Sequence, residues 1–202
     1  MTWVIDNYLE IIGTISGLIY LYFEIKQKVW LWPLGLITSS IYAVVFFESK
    51  FYADMSLQFY YIGISIYGWY WWLHGGESDG DKELSVSRIN AKLAIVLSGI
   101  TLLLFCLMAL ILRDYTDSPV PYGDAFTTAL SITATWMLAR KIIEHWWIWV
   151  IVNTVSLSLY IYKGLYPTSV LFFFYASMSV VGYYQWKKTL KVIDEQKNYQ
   201  SA

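Results

Sequence analysis

Leu93–Leu112 reads LAIVLSGITLLLFCLMALIL, an unbroken run without a charged side chain. At 1.5 Å of rise per residue it makes about 30 Å of helix, the hydrocarbon thickness of a bilayer, so the stretch reads as a membrane span. Six more apolar runs flank it: Tyr8–Phe23, Val29–Phe47, Met55–Leu73, Ala125–Leu138, Trp146–Tyr162 and Leu165–Trp186. They are rich in Tyr, Trp, Ser, Thr and Gly, the composition of helices that pack on one another and line a polar path. The sequence predicts an all-α integral membrane protein of seven transmembrane helices.

Composition agrees. The 202 residues are 57% hydrophobic and 14% charged, where a soluble domain has roughly half and a quarter. A net charge of −1 provides no basic stripe for nucleic acid, and the chain is too apolar for a disordered one. The single cysteine, Cys106, allows neither a disulfide framework nor a cysteine-rich metal site and reads as a packing residue. Asp6 and Glu10, with no basic n-region, mark the first run as a span rather than a cleaved signal.

Lys and Arg gather on cytoplasmic loops. Seven spans put Lys26, Lys28, Lys82, Arg88, Lys92, Arg140, Lys141, Lys187, Lys188, Lys191 and Lys197 on one side, and Lys50, Arg113 and Lys163 on the other. The asymmetry predicts an odd number of spans, an outside N-terminus and a cytoplasmic C-terminus. The polar segment His74–Asn90, with Gly75 and Gly76, becomes a cytoplasmic linker in which Glu77, Asp79, Asp81 and Glu83 are solvated.

At an offset of 114, Phe51–Trp72 aligns with Leu165–Trp186 and shares Tyr52/Tyr166, Leu57/Leu171, Phe59/Phe173, Tyr61/Tyr175, Ser65/Ser179, Gly68/Gly182, Tyr70/Tyr184 and Trp72/Trp186. With a three-residue gap upstream, Trp30-Leu31-Trp32 falls on Trp147-Ile148-Trp149. The halves read as homologous. The predicted organisation is a first three-helix repeat over 1–73, a linker over 74–92, a central helix over 93–112, a second repeat over 113–186 and a cytoplasmic tail over 187–202. An odd central helix makes such 3+1+3 repeats parallel, as in transporters whose substrate binds near the midplane between the halves.

Trp146, Trp149 and Asn153 fall within a narrow arc of one helix face, and Tyr160 continues the stripe two turns on. Two indoles one turn apart offer π-faces to a flat ring, and the Asn153 amide adds a donor and an acceptor. The competing readings are an interfacial belt for the tryptophans and helix pairing for Asn153, since an unpaired amide in hydrocarbon is costly. Gln58 is a further ligand contact or a packing residue. Thr127, Thr128, Ser131, Thr133 and Thr135 read as small interface residues, Asp124 as a helix cap, Arg140 and Glu144 as an ion pair four residues apart, and Pro33 as a kink or break.

The segment Arg140-Lys141-x-x-Glu144-x-Trp146-x-x-Trp149-x-x-x-Asn153 resembles the signature of the PnuC family of vitamin transporters. Phe51-Tyr52-Ala53 through Leu57-Gln58 to Ile66-Tyr67-Gly68-Trp69-Tyr70 resembles the family's first half. The resemblance implies a homotrimer in the bacterial inner membrane. Its seven-helix protomers would be similar in fold to the SWEET sugar transporters, each with its own path for nicotinamide riboside. It further implies that Trp146, Trp149 and Asn153 line the nicotinamide site and that a cytoplasmic kinase traps the product. The family also has members for thiamine, riboflavin and deoxynucleosides. Nicotinamide riboside and thiamine are both flat cations that stack on indoles. Thr38 in Gly35-Leu36-Ile37-Thr38-Ser39-Ser40, where some nicotinamide riboside members carry Asn, keeps thiamine open.

No Walker A loop is present, and no buried acid is expected in the span interiors to relay protons, so facilitated diffusion is the expected mechanism. His74 and His145 lie in no His-Glu-x-x-His setting and no Gly-x-Ser-x-Gly elbow occurs, which argues against an enzyme. No cofactor or metal is expected. A retinal protein needs a buried lysine that Leu165–Trp186 lacks. The competing class is a vitamin-binding membrane subunit that needs a partner to translocate.

Overall fold

The computed structural model describes residues 8–48, 52–76, 83–116, 118–162, 164 and 166–201. Asp6, Lys50, Phe51, Glu77, Asp79, Asp81, Lys82, Lys163 and Leu165, used above, lie outside these. The helices are α1 Tyr8–Ile25, α2 Leu31–Glu48, α3 Tyr52–His74, α4 Ala91–Tyr115, α5 Pro121–Ala139, α6 His145–Tyr162 and α7 Tyr166–Ser201. Each predicted span coincides with one of them. The chain forms two compact units, Met1–Leu84 and Ser85–Ala202, holding α1–α3 and α4–α7.

Helix ends depart from the sequence reading for local reasons. Pro33 sits in the first turn of α2, where a missing N–H leaves no carbonyl unpaired, so it starts the helix rather than kinking it. Pro121 opens α5 in the same way. Asp124 is therefore inside the first turn, and Val120 is the cap residue. The Asp124 carboxylate accepts from Ser118 Oγ at 2.7 Å. The segment read as a tail continues as helix to Ser201.

The linkage between α5 and α6 also differs from expectation. The chain turns at Lys141, with φ 49°, so Arg140 and Glu144 do not share a helix and lack the i to i+4 geometry their pairing assumed. Glu144 Oε2 instead accepts from the backbone N–H of Ile89 at 2.9 Å. Ser87 N–H donates to Lys141 O, and Ile143 N–H donates to Ser87 O, both at 3.0 Å. These bonds clip the segment leading into α4 onto the α5–α6 turn. Below them Leu97, Met137 and Ile142 form an apolar core. Thr101 Oγ1 and Thr133 Oγ1, 2.6 Å apart, join α4 to α5. Ser131, Thr133 and Thr135 return hydroxyls to carbonyls one turn back, so their polarity is satisfied within their own helix. Most of α4 is exposed, Ile95 at 73%, as suits a lipid-facing helix. Cys106, expected to pack, is exposed with it.

The internal repeat runs without a gap. Adding 114 to the bounds of α2 gives those of α6, the start of α3 gives that of α7, and the end of α1 gives that of α5. The turns that follow α1 and α5 match atom for atom. Gln27 (φ 53°) and Lys141 (φ 49°) adopt the left-handed conformation. Lys28 N–H bonds Phe23 O at 2.8 Å, and Ile142 N–H bonds Met137 O at 2.9 Å, the same six-residue closure of a helix end. The three-residue gap expected upstream is thus overturned, and Trp32 corresponds to Trp146. The string match misled because Trp30 and Trp147, at 65% and 45% exposure, lie on outer surfaces.

Both units close their last two helices with one device. The Trp32 and Trp72 ring centroids lie 5.6 Å apart at 88°, and those of Trp146 and Trp186 lie 5.8 Å apart at 84°. Each α2 or α6 tryptophan lies directly over a glycine. A Cβ on Gly68 would stand 2.4 Å from Trp32, and one on Gly182 would stand 2.4 Å from Trp146. Only a residue without a side chain admits this approach.

Candidate binding faces of the two units

In the second unit Trp146, Trp149, Asn153 and Tyr160 follow one face of α6 toward α7. Trp146 is 0% exposed, enclosed by Trp186, Gly182 and His145, whose ring centroid lies 4.7 Å away. Trp149 is half-buried, with its indole N–H buried and without a hydrogen-bond partner. Asn153, 7% exposed, donates from Nδ2 to Ser179 Oγ at 3.3 Å. Ser179 in turn donates to Tyr175 O. This uses part of the amide's capacity and fixes the plane of the rest. Tyr160 stacks obliquely on Phe172 at 4.9 Å, and Asp124 is near enough to act on it electrostatically.

In the first unit Gln58 and Thr38 are half-buried. Gln58 shares one arc of α3 with Tyr61 and Ser65. The α2 residue matching Asn153 is Ser39, which is buried, and Thr38 is turned about 100° away. Residues missed by sequence reasoning are Ser39, Tyr20 and Glu24. The signal for Ser39 was the ungapped offset. Glu24 is 4% exposed, contrary to the expectation that no span buries an acid, because α1 runs past Phe23 and turns this residue inward.

The repeat separates scaffold from candidate site. Positions that pack the units are retained: Trp32/Trp146, Ser65/Ser179, Gly68/Gly182 and Trp72/Trp186. Positions on the candidate faces diverge: Gly35/Trp149, Ser39/Asn153 and Gln58/Phe172. A cavity of about 660 Å³ between α4 and α5, lined by Ser98, Thr101, Phe105, Phe126, Leu130 and Thr133 among others, contains none of these residues.

Apolar helices built on a repeated three-helix unit, with the polar Ser39, Asn153 and Ser179 buried within it, suit a helical membrane transporter. The model of the nicotinamide mononucleotide transporter family matches residues 7–188. The chain belongs to that family. It is 24% identical over 204 residues to the nicotinamide riboside transporter PnuC of Escherichia coli strain K12, covering 89% of this chain and 85% of the relative. It is 25% identical over 198 residues to PnuC of Neisseria mucosa, covering 92% and 74%. Against the riboflavin/roseoflavin transporter RibM of Streptomyces davaonensis it is 24% identical over 183 residues, covering 88% and 83%. The crystal structure of the vitamin B3 transporter PnuC superposes with a TM-score of 0.71 at 24% identity, covering 94% of this chain and 85% of that one, which establishes the shared fold.

Proposed function

We propose that the protein takes up nicotinamide riboside across the bacterial cytoplasmic membrane by facilitated diffusion. In this reading the helices form a SWEET-like 3+1+3 bundle with parallel repeats, an outside N-terminus and a cytoplasmic C-terminus. The assembly is a homotrimer, and a cytoplasmic kinase traps the substrate. The observation that carries the reading is the divergence of Trp149 and Asn153 from Gly35 and Ser39 on an otherwise retained scaffold. Flat aromatic faces beside a partly engaged amide suit a heteroaromatic carboxamide. Trp146, sealed within its unit, then serves by fixing α6 against α7.

Charge favours the riboside over the mononucleotide of the family's name. A phosphate is held by Arg or Lys. Helices α1, α2, α3, α5 and α6 contain neither, and α7 has none before Lys187. Purified protein alone in liposomes is expected to show saturable uptake of labelled nicotinamide riboside, which separates a carrier from a binding subunit, with labelled thiamine as the competing substrate. Asn153→Ala is expected to weaken nicotinamide riboside binding about tenfold, or 1.4 kcal/mol, for one desolvated amide contact. Uptake of thiamine alone, or unchanged affinity in the variant, refutes the substrate or the site respectively.

A further inference from the structure

One buried carboxylate has no part in the site described so far. Glu24 follows Tyr20 by one helical turn on the same face of α1. Tyr20 lies against Gly35 of α2, where its Cε2 is 3.4 Å from the position a Cβ would take, and Ser65 Oγ of α3 closes the same spot at 3.1 Å. Tyr61 precedes Ser65 by one turn on α3, and the adjoining Tyr60 ring lies 5.4 Å from it at 61°. Glu24, Tyr61 and Tyr60 all lie near Tyr20. One carboxylate and three phenols therefore share a small region of the first unit.

The second unit carries the same scaffold without this cluster. The corresponding residues are Ala134, Leu138, Phe174 and Tyr175, so three of the four oxygen-bearing groups are replaced by apolar ones. Helix bounds, end closures and tryptophan pairs match across the units regardless, so packing does not require the cluster. An acid withdrawn from water within a membrane protein is costly, and such residues mark functional sites more often than structural ones. A phenol ring attracts a cation through its π-face, and a carboxylate behind the ring adds to that attraction.

We propose that Glu24, acting through Tyr20 and Tyr60, makes this transporter select a flat organic cation over its uncharged counterpart. Glu24 is here a positioning residue, and the inference rests on the nicotinamide riboside reading above. That ligand carries a pyridinium ring, and its dihydro form is nearly the same shape without the charge. Binding of both forms to the full-length purified protein is measured by calorimetry. Glu24→Gln is expected to weaken the pyridinium form by about tenfold while the dihydro form stays within about twofold, so that their ratio moves. Tyr60→Phe keeps the ring and is expected to move the ratio the same way by a smaller factor, which decides the matter should Glu24→Gln not fold. A ratio unchanged in the variants, or equal loss for both ligands, overturns the proposal. Wild-type protein that binds neither form overturns the nicotinamide reading as well. Wild-type protein that binds both, with an unmoved ratio in the variants, leaves that reading intact and sinks this inference alone.

Discussion

Replacing Gly182 with alanine tests the packing on which both units depend. The added Cβ would lie 2.4, 2.5 and 2.6 Å from Cη2, Cζ2 and Cζ3 of Trp146, about 1 Å inside ordinary carbon contact. The indole has little room to retreat, being edge-on to Trp186 at 5.8 Å and against His145 at 4.7 Å. Separating α6 from α7 is the remaining accommodation, and overpacking of this kind costs about 1–3 kcal/mol. Removing a glycine from a helix returns about 1 kcal/mol, so the net loss is about 0–2 kcal/mol, and about 1–3 kcal/mol relative to a glycine replaced in open space. For a chain of this size that places the unfolding midpoint about 2–12 °C below that of such a control. Gly68→Ala against Trp32 is expected to match it. Gly63→Ala and Gly99→Ala, where an added Cβ meets nothing within 4 Å, are controls expected to be neutral or slightly stabilising. Midpoints are read from heated detergent extracts by size-exclusion chromatography at one scan rate. Trp146→Phe in the Gly182→Ala background is expected to recover part of the loss. A Gly182→Ala midpoint equal to that of Gly63→Ala refutes the tryptophan-over-glycine account.

Glu144→Ala removes the acceptor of the Ile89 N–H and is expected to cost about 1–2 kcal/mol, read as a lower midpoint and faster proteolysis near residues 85–90. The Thr101–Thr133 contact at 2.6 Å is expected to show a coupling of roughly 0.6 kcal/mol in a Thr101→Val, Thr133→Val double-mutant cycle; additivity within error excludes it. Ser179→Ala deprives Asn153 of its orienting partner and is expected to weaken nicotinamide riboside about two- to threefold, less than Asn153→Ala. A larger effect than Asn153→Ala assigns the ligand contact to Ser179 instead.

The helices were legible because apolar run length is set by bilayer thickness, a constraint that acts on each segment by itself. Turn positions were not, since Pro33 reads as a breaker until the start of α2 is known. The repeat was legible in α3 and α7, where Gly-x-Tyr-x-Trp is shared, and misread by three residues in α2 and α6. There the two exposed tryptophans, Trp30 and Trp147, competed with the buried pair. Asn153 was legible as a polar group within an apolar run. Glu24 was not, because it stands beside Lys26 and Lys28 at the edge of a span, and only the neighbouring helices decide whether such a residue faces water.

Helix α7 has 36 residues, about 54 Å at the α-helical rise, against a hydrocarbon layer of about 30 Å. Leu190 is still buried in the fold, so only the turns beyond it, past Lys187 with its ammonium 5.9 Å over the Tyr183 ring, form a stalk in excess of one span. A soluble domain spliced into that stalk in helical register inherits the orientation of the helix instead of swinging on a tether. For a protein of only 23.5 kDa, such a rigid fiducial supplies the mass and asymmetry needed to align single particles by electron microscopy.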